Sequence, residues 1–258
     1  MRLGIVAGVL LTLTVPVLIA AAPRGSAARG AGIARALGCT DCHGARLAGK
    51  VIVDDPTIAT LWSSNLSQTL PRYSDAALER TLRTGIRPDG SKLWYMDAAP
   101  YAVMNDRDMQ DLIAWLRTAK PSGVAHPRVQ ARARWHKAVA AGRLKPAADT
   151  LAAALAAPPP ALGPALERGR YIARTQCAGC HEPDLKGLRD PQPGDPPDLA
   201  VAASYTLDGF RTLLRTGKAP GGREVGEMSK ASRQRLAAMP ESDIRVLHAY
   251  LAARTKGR

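Results

Sequence analysis

One pentapeptide pattern occurs twice in this chain of 258 residues, as Cys39-Thr40-Asp41-Cys42-His43 and as Cys177-Ala178-Gly179-Cys180-His181, and the two copies use all four cysteines. Two thiols three residues apart on a helical turn lie on one side of it, and the histidine that follows projects beside them. This is the spacing at which two thioethers form to the vinyl groups of a c-type haem while the histidine reaches the iron. A chain carrying it twice is expected to pack each of two cores around a large, flat, apolar group. Composition agrees, because aromatic residues make up only 4% of the chain and Phe210 is its single phenylalanine.

Other uses of the cysteines explain less. A zinc site would have to bring together two Cys-x-x-Cys pairs separated by more than a hundred residues, and would leave the trailing histidines without a purpose. A thioredoxin-like pair needs a strand before the motif, and neither copy has one in its pattern. Disulfides suit an oxidising compartment but again ignore the histidines. Export is itself written in the sequence: a single Arg2 precedes residues 3–22, which carry no charge, and Pro23-Arg24-Gly25-Ser26 follow. Residues 1–22 read as a signal peptide or an N-terminal membrane anchor. Either reading puts the remainder outside the cytoplasm, where c-type haem is attached.

The repeat is larger than the motif. Arg29-Gly30-Ala31-Gly32-Ile33-Ala34-Arg35 precedes the first copy and Arg168-Gly169-Arg170-Tyr171-Ile172-Ala173-Arg174 precedes the second. Far downstream, residues 108–117 and 243–251 each show the apolar spacing of an amphipathic helix with an aromatic near its end, Trp115 and Tyr250. A glycine on the first helix lets the last one cross closely, so Gly30 or Gly32 is expected to face Trp115, and Gly169 to face Tyr250.

A helix running into Cys-x-x-Cys-His, an irregular middle and a last helix ending in an aromatic-Leu pair resembles a class I cytochrome c domain, here in tandem. The resemblance implies an all-α fold with one domain over residues 28–119 and a second over 164–256, joined by a linker at 120–163. It also implies two covalently bound haem c groups, held by Cys39 and Cys42 and by Cys177 and Cys180, with His43 and His181 on the irons. The runs at 85–96 and 221–229 resemble those of exported bacterial dihaem cytochromes, which commonly accept electrons from membrane-side dehydrogenases.

Class I domains complete the iron with a methionine. Met104 and Met239 stand just ahead of the last helices, where a hydrophobic residue before the cap packs on the fourth helical residue, Met109 or Ile244. That staple accounts for both. Met96 and Met228 lie in Gly/Pro-rich loops, 53 and 47 residues after their histidines. They are taken as the axial ligands, with Met104 and Met239 as alternatives, because Met239-Pro240 is a familiar axial dipeptide in the family. A proximal histidine also needs an acceptor for its second ring nitrogen. The family supplies a Pro-x-Leu carbonyl, matched by Pro197-Asp198-Leu199; the first copy has Ser64-Asn65-Leu66 there, which leaves its acceptor open. Trp62, Trp94, Tyr95 and Tyr101 are candidates to line the first haem or bond its propionates, or plain core residues. His126, His136 and His248 read as non-ligands.

The formal net charge is +14, and residues 120–146 hold seven Lys or Arg and no acidic residue. Residues 129–141 read as a helix stopped by Gly142, either packed through Trp135 on a cytochrome domain or serving as a docking face for an acidic partner or membrane. An Ala/Pro-rich spacer follows through Pro164. No nucleophile–base pair, phosphate loop or second metal motif stands out, and no nucleic-acid partner is expected. The expectation is therefore a periplasmic electron carrier, soluble or anchored through residues 3–22, working between a dehydrogenase and another cytochrome or terminal oxidase. The rival is a dihaem redox enzyme, peroxidase-like or thiosulfate-oxidising, with one open haem position. The absence of a fifth cysteine excludes its cysteine-ligated form.

Overall fold

A computed structural model describes residues 25–255, so the leader at residues 1–22 lies outside the described residues. The first motif domain contains α1 (Ala27–Ala36), α2 (Cys39–His43), β1 (Val51–Asp55), β2 (Ala59–Trp62), α3 (Leu66–Thr69), α4 (Asp75–Thr84), α5 (Ala99–Ala102) and α6 (Asp106–Leu116). The linker adds β3 (Val129–Ala131), α7 (Ala133–Ala140) and α8 (Ala147–Ala156). The second domain contains α9 (Glu167–Ile172), α10 (Ala178–His181), α11 (Leu207–Thr216), β4 (Lys218–Ala219), β5 (Arg223–Glu224), α12 (Glu227–Ala231) and α13 (Glu241–Ala253).

Each domain is organised by one helix crossing. A Cβ added at Gly30 would stand 1.9 Å from the Asp111 carbonyl oxygen and 2.8 Å from Cβ of Trp115. One at Gly169 would stand 2.1 Å from the Val246 carbonyl oxygen and 2.6 Å from Cβ of Tyr250. Only glycine permits backbones this close, so α1 lies on α6 and α9 on α13 in the same way. Gly32 has nothing within 4 Å of its Cβ position, which settles the choice between the two glycines of α1. The last helices start at equivalent points: the Asn105 side chain accepts from the Asp108 N–H, while Pro240 occupies the cap position of α13. The middle helices α4 and α11 are capped by Ser74 and Thr206 and end at Gly85 and Gly217, both left-handed at φ 71° and 76°. Met109, Leu112 and Leu116 meet Leu78, Leu82 and Tyr101 in the first core. Ile244, Leu247 and Tyr250 meet Ile172, Phe210 and Leu214 in the second.

The all-α expectation needs correcting: β4 and β5 pair antiparallel in the second domain, and a larger sheet joins the first domain to the linker. β1, β2 and β3 form an antiparallel sheet, with Asp55 opposite Ala59 and Ala59 opposite Ala131. The turn between the first two strands is tied by Asp55, whose carboxylate accepts from the Thr57 N–H at 2.7 Å and the Ile58 N–H at 3.0 Å. Because Val129–Ala131 is taken up by this sheet, the linker helix begins at Ala133 rather than at residue 129. Trp135 on it is buried against Ala59 and Leu61, with its ring 5.0 Å from that of Trp94. The linker is thus part of the fold. Its proline run is bonded to the second domain, where the Arg170 Nε–H donates to the Pro159 carbonyl and the Tyr250 hydroxyl to that of Pro160, both at 2.9 Å.

The two motif domains touch directly. Arg235 Nε donates to the Asp41 carboxylate at 2.6 Å, and the Tyr171 hydroxyl donates to that of Asp108 at 2.6 Å. α5 of the first domain lies against α10 of the second. Between the domains a cavity of ≈ 320 Å³ is lined in part by Met104, Met239 and Tyr171.

The helix crossing makes a sign-specific prediction. Gly169→Ala is expected to lower stability by about 1–3 kcal/mol through forced separation of two backbones. Gly32→Ala should raise it by about 0.5–1 kcal/mol, since a helical glycine is replaced in open space. Denaturant titrations of the two variants check both signs.

Candidate haem sites

The two Cys-x-x-Cys-His segments are reached by different turns. α1 ends at Ala36, and Gly38 at φ 70° redirects the chain into α2. In the second domain α9 continues through a π-helical turn at Ala173–Cys177 into α10. Beyond the histidines the copies converge. The His43 carbonyl accepts from the Gly49 N–H at 2.9 Å, and that of His181 from the Gly187 N–H at 3.0 Å. Leu47 and Leu185 take positive φ of 55° and 63° inside these turns and are both buried. A bulky residue held in that region marks a turn imposed by its surroundings.

Both histidines are oriented through Nδ1. His43 Nδ1 lies 2.9 Å from the Ser64 carbonyl oxygen, and His181 Nδ1 lies 2.7 Å from the Pro197 carbonyl oxygen. With Nδ1 donating, Nε2 is the nitrogen left available to a ligand. Pro197 thus stands where the Pro-x-Leu pattern puts it, and Ser64 performs the same task without a proline because only its backbone carbonyl is used. Ser63 reinforces the first loop: its hydroxyl donates to the Cys42 carbonyl at 2.7 Å and accepts from the Lys50 N–H at 2.9 Å. Burial pushes the pKa of both histidines down, which keeps the imidazoles neutral as iron ligation requires. Burial also pushes the Cys39 and Cys177 thiols up to about 12. All four cysteines are free, with Cys42 and Cys180 exposed. Two motifs, each with paired free thiols of which the second is exposed and with an oriented imidazole, fit a c-type haem. Among the described residues no group of three or more His, Cys, Asp or Glu could hold a metal ion, so the donor set for a zinc site is not assembled.

The methionines divide by environment. Met104 and Met239 are core residues, 4% and 7% exposed, sharing their clusters with Met109 and Ile244 respectively, as a staple requires. Met96 is half-buried on an irregular segment, whereas Met228 is half-buried in the first turn of α12 and not in the loop expected for it, because the chain turns into a helix directly after Gly226. Met96 follows Tyr95, which has φ 68° and is 67% exposed, and it packs against both the first core and the Leu93–Ala98–Ala147 cluster. Met228 follows Gly226, at φ 58° and ψ −130°, and packs against the second core. Of the aromatic candidates, Tyr101 is buried beside Cys39, and burial together with Cys39 holds its hydroxyl well above the ordinary phenol pKa. His248 Nε2 lies 2.9 Å from the Tyr205 carbonyl oxygen and the ring lies against Phe210. His136 is exposed and His126 half-exposed, both in the linker. What the sequence pattern did not signal are the links between domains, Asp41–Arg235 and Tyr171–Asp108; each pairs residues from regions with no local relation.

The cytochrome c family model matches residues 27–120 and 166–255, and the chain belongs to that family. It is similar to the cytochrome subunit of fructose dehydrogenase from Gluconobacter japonicus, 27% identical over 267 residues, 90% of this chain and 53% of that protein. It is similar to the cytochrome c subunit of a quinone alcohol dehydrogenase from Gluconacetobacter polyoxogenes, 27% identical over 265 residues, 86% of this chain and 54% of that protein. A nicotinate dehydrogenase subunit from Pseudomonas putida is 29% identical over 256 residues, 87% of this chain but 21% of that protein. The chain therefore spans about half the length of the first and second of these relatives, and about a fifth of the third.

The ion pair between domains can be weighed directly. Asp41→Asn and Arg235→Gln are each expected to cost up to about 1 kcal/mol of stability, as for a half-exposed pair. The double variant should cost less than the sum of the single ones in a double-mutant cycle read by denaturant unfolding.

Proposed function

We propose that this chain is a dihaem c-type cytochrome that carries single electrons from a dehydrogenase to a downstream cytochrome or terminal oxidase outside the cytoplasm. The observation that carries the reading is the duplicated arrangement of two free thiols and a histidine whose Nδ1 is bonded to a backbone carbonyl. Bound haem iron supplies the one-electron chemistry. Cys39, Cys42, Cys177 and Cys180 attach the two groups, and His43 and His181 hold the proximal positions. Met96 and Met228 close the sixth positions, which favours electron transfer over substrate turnover at iron. The half-buried positions of these two methionines support that assignment, while Met104 and Met239 are occupied as core staples.

The partner is inferred from two directions. The relatives that align over most of this chain are dehydrogenase subunits, which supports a dehydrogenase donor. The positive surface, with seven basic and no acidic residues between 120 and 146, supports a redox partner with an acidic docking face and a salt-sensitive encounter. Membrane attachment would rest on residues 3–22; among the described residues no helix is long and apolar enough to cross a membrane.

Near-infrared and visible spectra of the purified chain test the ligation. Two methionine-to-iron charge-transfer signals are expected. Met96→Ala and Met228→Ala should each abolish one of them, whereas Met104→Leu and Met239→Leu should keep both. A wild-type haem that is high-spin and binds cyanide readily would instead indicate an open enzymatic site.

A further inference from the structure

The cavity of ≈ 320 Å³ between the domains is walled by equivalent residues of the two copies. Counting back from Trp115 and Tyr250, Met104 matches Met239 and Asp108 matches Asp243, and all four line it. Counting on from the close-approach glycines Gly30 and Gly169, Gly32 matches Tyr171, and this pair lines it too. The one mismatch in kind among these pairs is therefore a phenol side chain in the second domain against no side chain in the first.

The tyrosine shows what such a position accepts. Its hydroxyl donates to the Asp108 carboxylate across the domain boundary at 2.6 Å, and the Asn105 N–H approaches the same oxygen at 3.4 Å. The Arg168 guanidinium lies 5.4 Å from the centre of the Tyr171 ring, a cation–π contact. At Gly32 there is room for the missing ring, since a Cβ built there meets nothing within 4 Å. An acceptor also waits for a donor: Gln176 lines the cavity, and its Oε1 is buried with no hydrogen-bond partner among the described residues. A buried acceptor left so costs free energy that an incoming donor recovers. The charge on the wall suits a neutral ligand. Of its four arginines, Arg29 is paired with Asp111, Arg168 with Asp243 and Arg235 with Asp41, while Arg35 is exposed.

We propose that this cavity is a binding site for a small neutral phenol, with its ring in the space left at Gly32 and its hydroxyl donating to Gln176 Oε1. The size fits a single-ring compound, because pockets that take small molecules begin at about 300 Å³. The site lies apart from both Cys-x-x-Cys-His motifs and adds a ligand to a protein otherwise read as an electron carrier. It rests on Met104 and Met239 being core residues rather than iron ligands. Since both domains supply its walls, a bound phenol touches both and stabilises the assembled pair by mass action.

The test uses the reduced full chain with its haems attached and with isotope-labelled methionine methyl groups, read by NMR. p-Cresol is expected to shift the Met104 and Met239 methyl signals saturably. Toluene, which has the ring without the hydroxyl, should bind on the order of tenfold more weakly. Gly32→Tyr, which supplies the missing side chain, is expected to abolish the response to p-cresol, and Gln176→Met to remove the preference for p-cresol over toluene. The absence of a saturable shift, equal affinity for the two compounds, or undiminished binding in Gly32→Tyr would each overturn the site. Should Gly32→Tyr fail to fold, Gln176→Met decides alone, and an unchanged preference in it counts against the proposal. Methyl groups of iron-bound methionines are displaced far upfield by the haem ring, which reports on ligation separately. Finding Met104 or Met239 among them would remove the premise and the proposal with it.

Discussion

Everything at each site depends on one hydrogen bond, from Nδ1 of the motif histidine to a backbone carbonyl on a loop 21 residues away in the first domain and 16 in the second. Without it the imidazole could rotate, and either ring nitrogen could turn to the iron. With it the tautomer and the ring direction are fixed before any ligand arrives, and the loop is tied to the motif helix. The rest of each domain holds that bond in place. The α1–α6 and α9–α13 crossings at Gly30 and Gly169 set where the motif helix starts. The buried Leu47 and Leu185 turns bring the chain back towards the carbonyl.

The copies share this frame and differ in what surrounds it. In the first, a serine carbonyl replaces the proline one, a three-stranded sheet is added, and the linker returns to complete that sheet through Val129–Ala131. In the second, a π-helical turn replaces the left-handed Gly38 on the approach to the motif. Such differences matter because a haem potential is set by hydrogen bonding, charge and burial around a common ligand set. Two unequal neighbours can pass an electron in a preferred direction. Asp41–Arg235 and Tyr171–Asp108 link the two domains directly.

Local chemistry was legible in the sequence and long-range geometry was not. The motif spacing, the amphipathic final helices and the close-approach glycines follow from rules that act over a few residues, and the Pro197 carbonyl follows from the family resemblance. The staple reading of Met104 and Met239 came from comparing the copies, and their burial agrees with it. The sheet escaped because residues 51–62 are short and irregular in pattern, and because β3 comes from a segment whose alanine and arginine content reads as helix. The Ser64 acceptor escaped because a backbone carbonyl leaves no mark on residue identity.

The central claim is that each domain binds its own haem covalently through its own motif. Peptide-level mass spectrometry of the chain produced with c-type haem maturation tests this most directly. The account predicts one haem on the peptide containing Cys39 and Cys42 and one on the peptide containing Cys177 and Cys180. A chain carrying haem on only one peptide, or with its cysteines joined to one another, would contradict it.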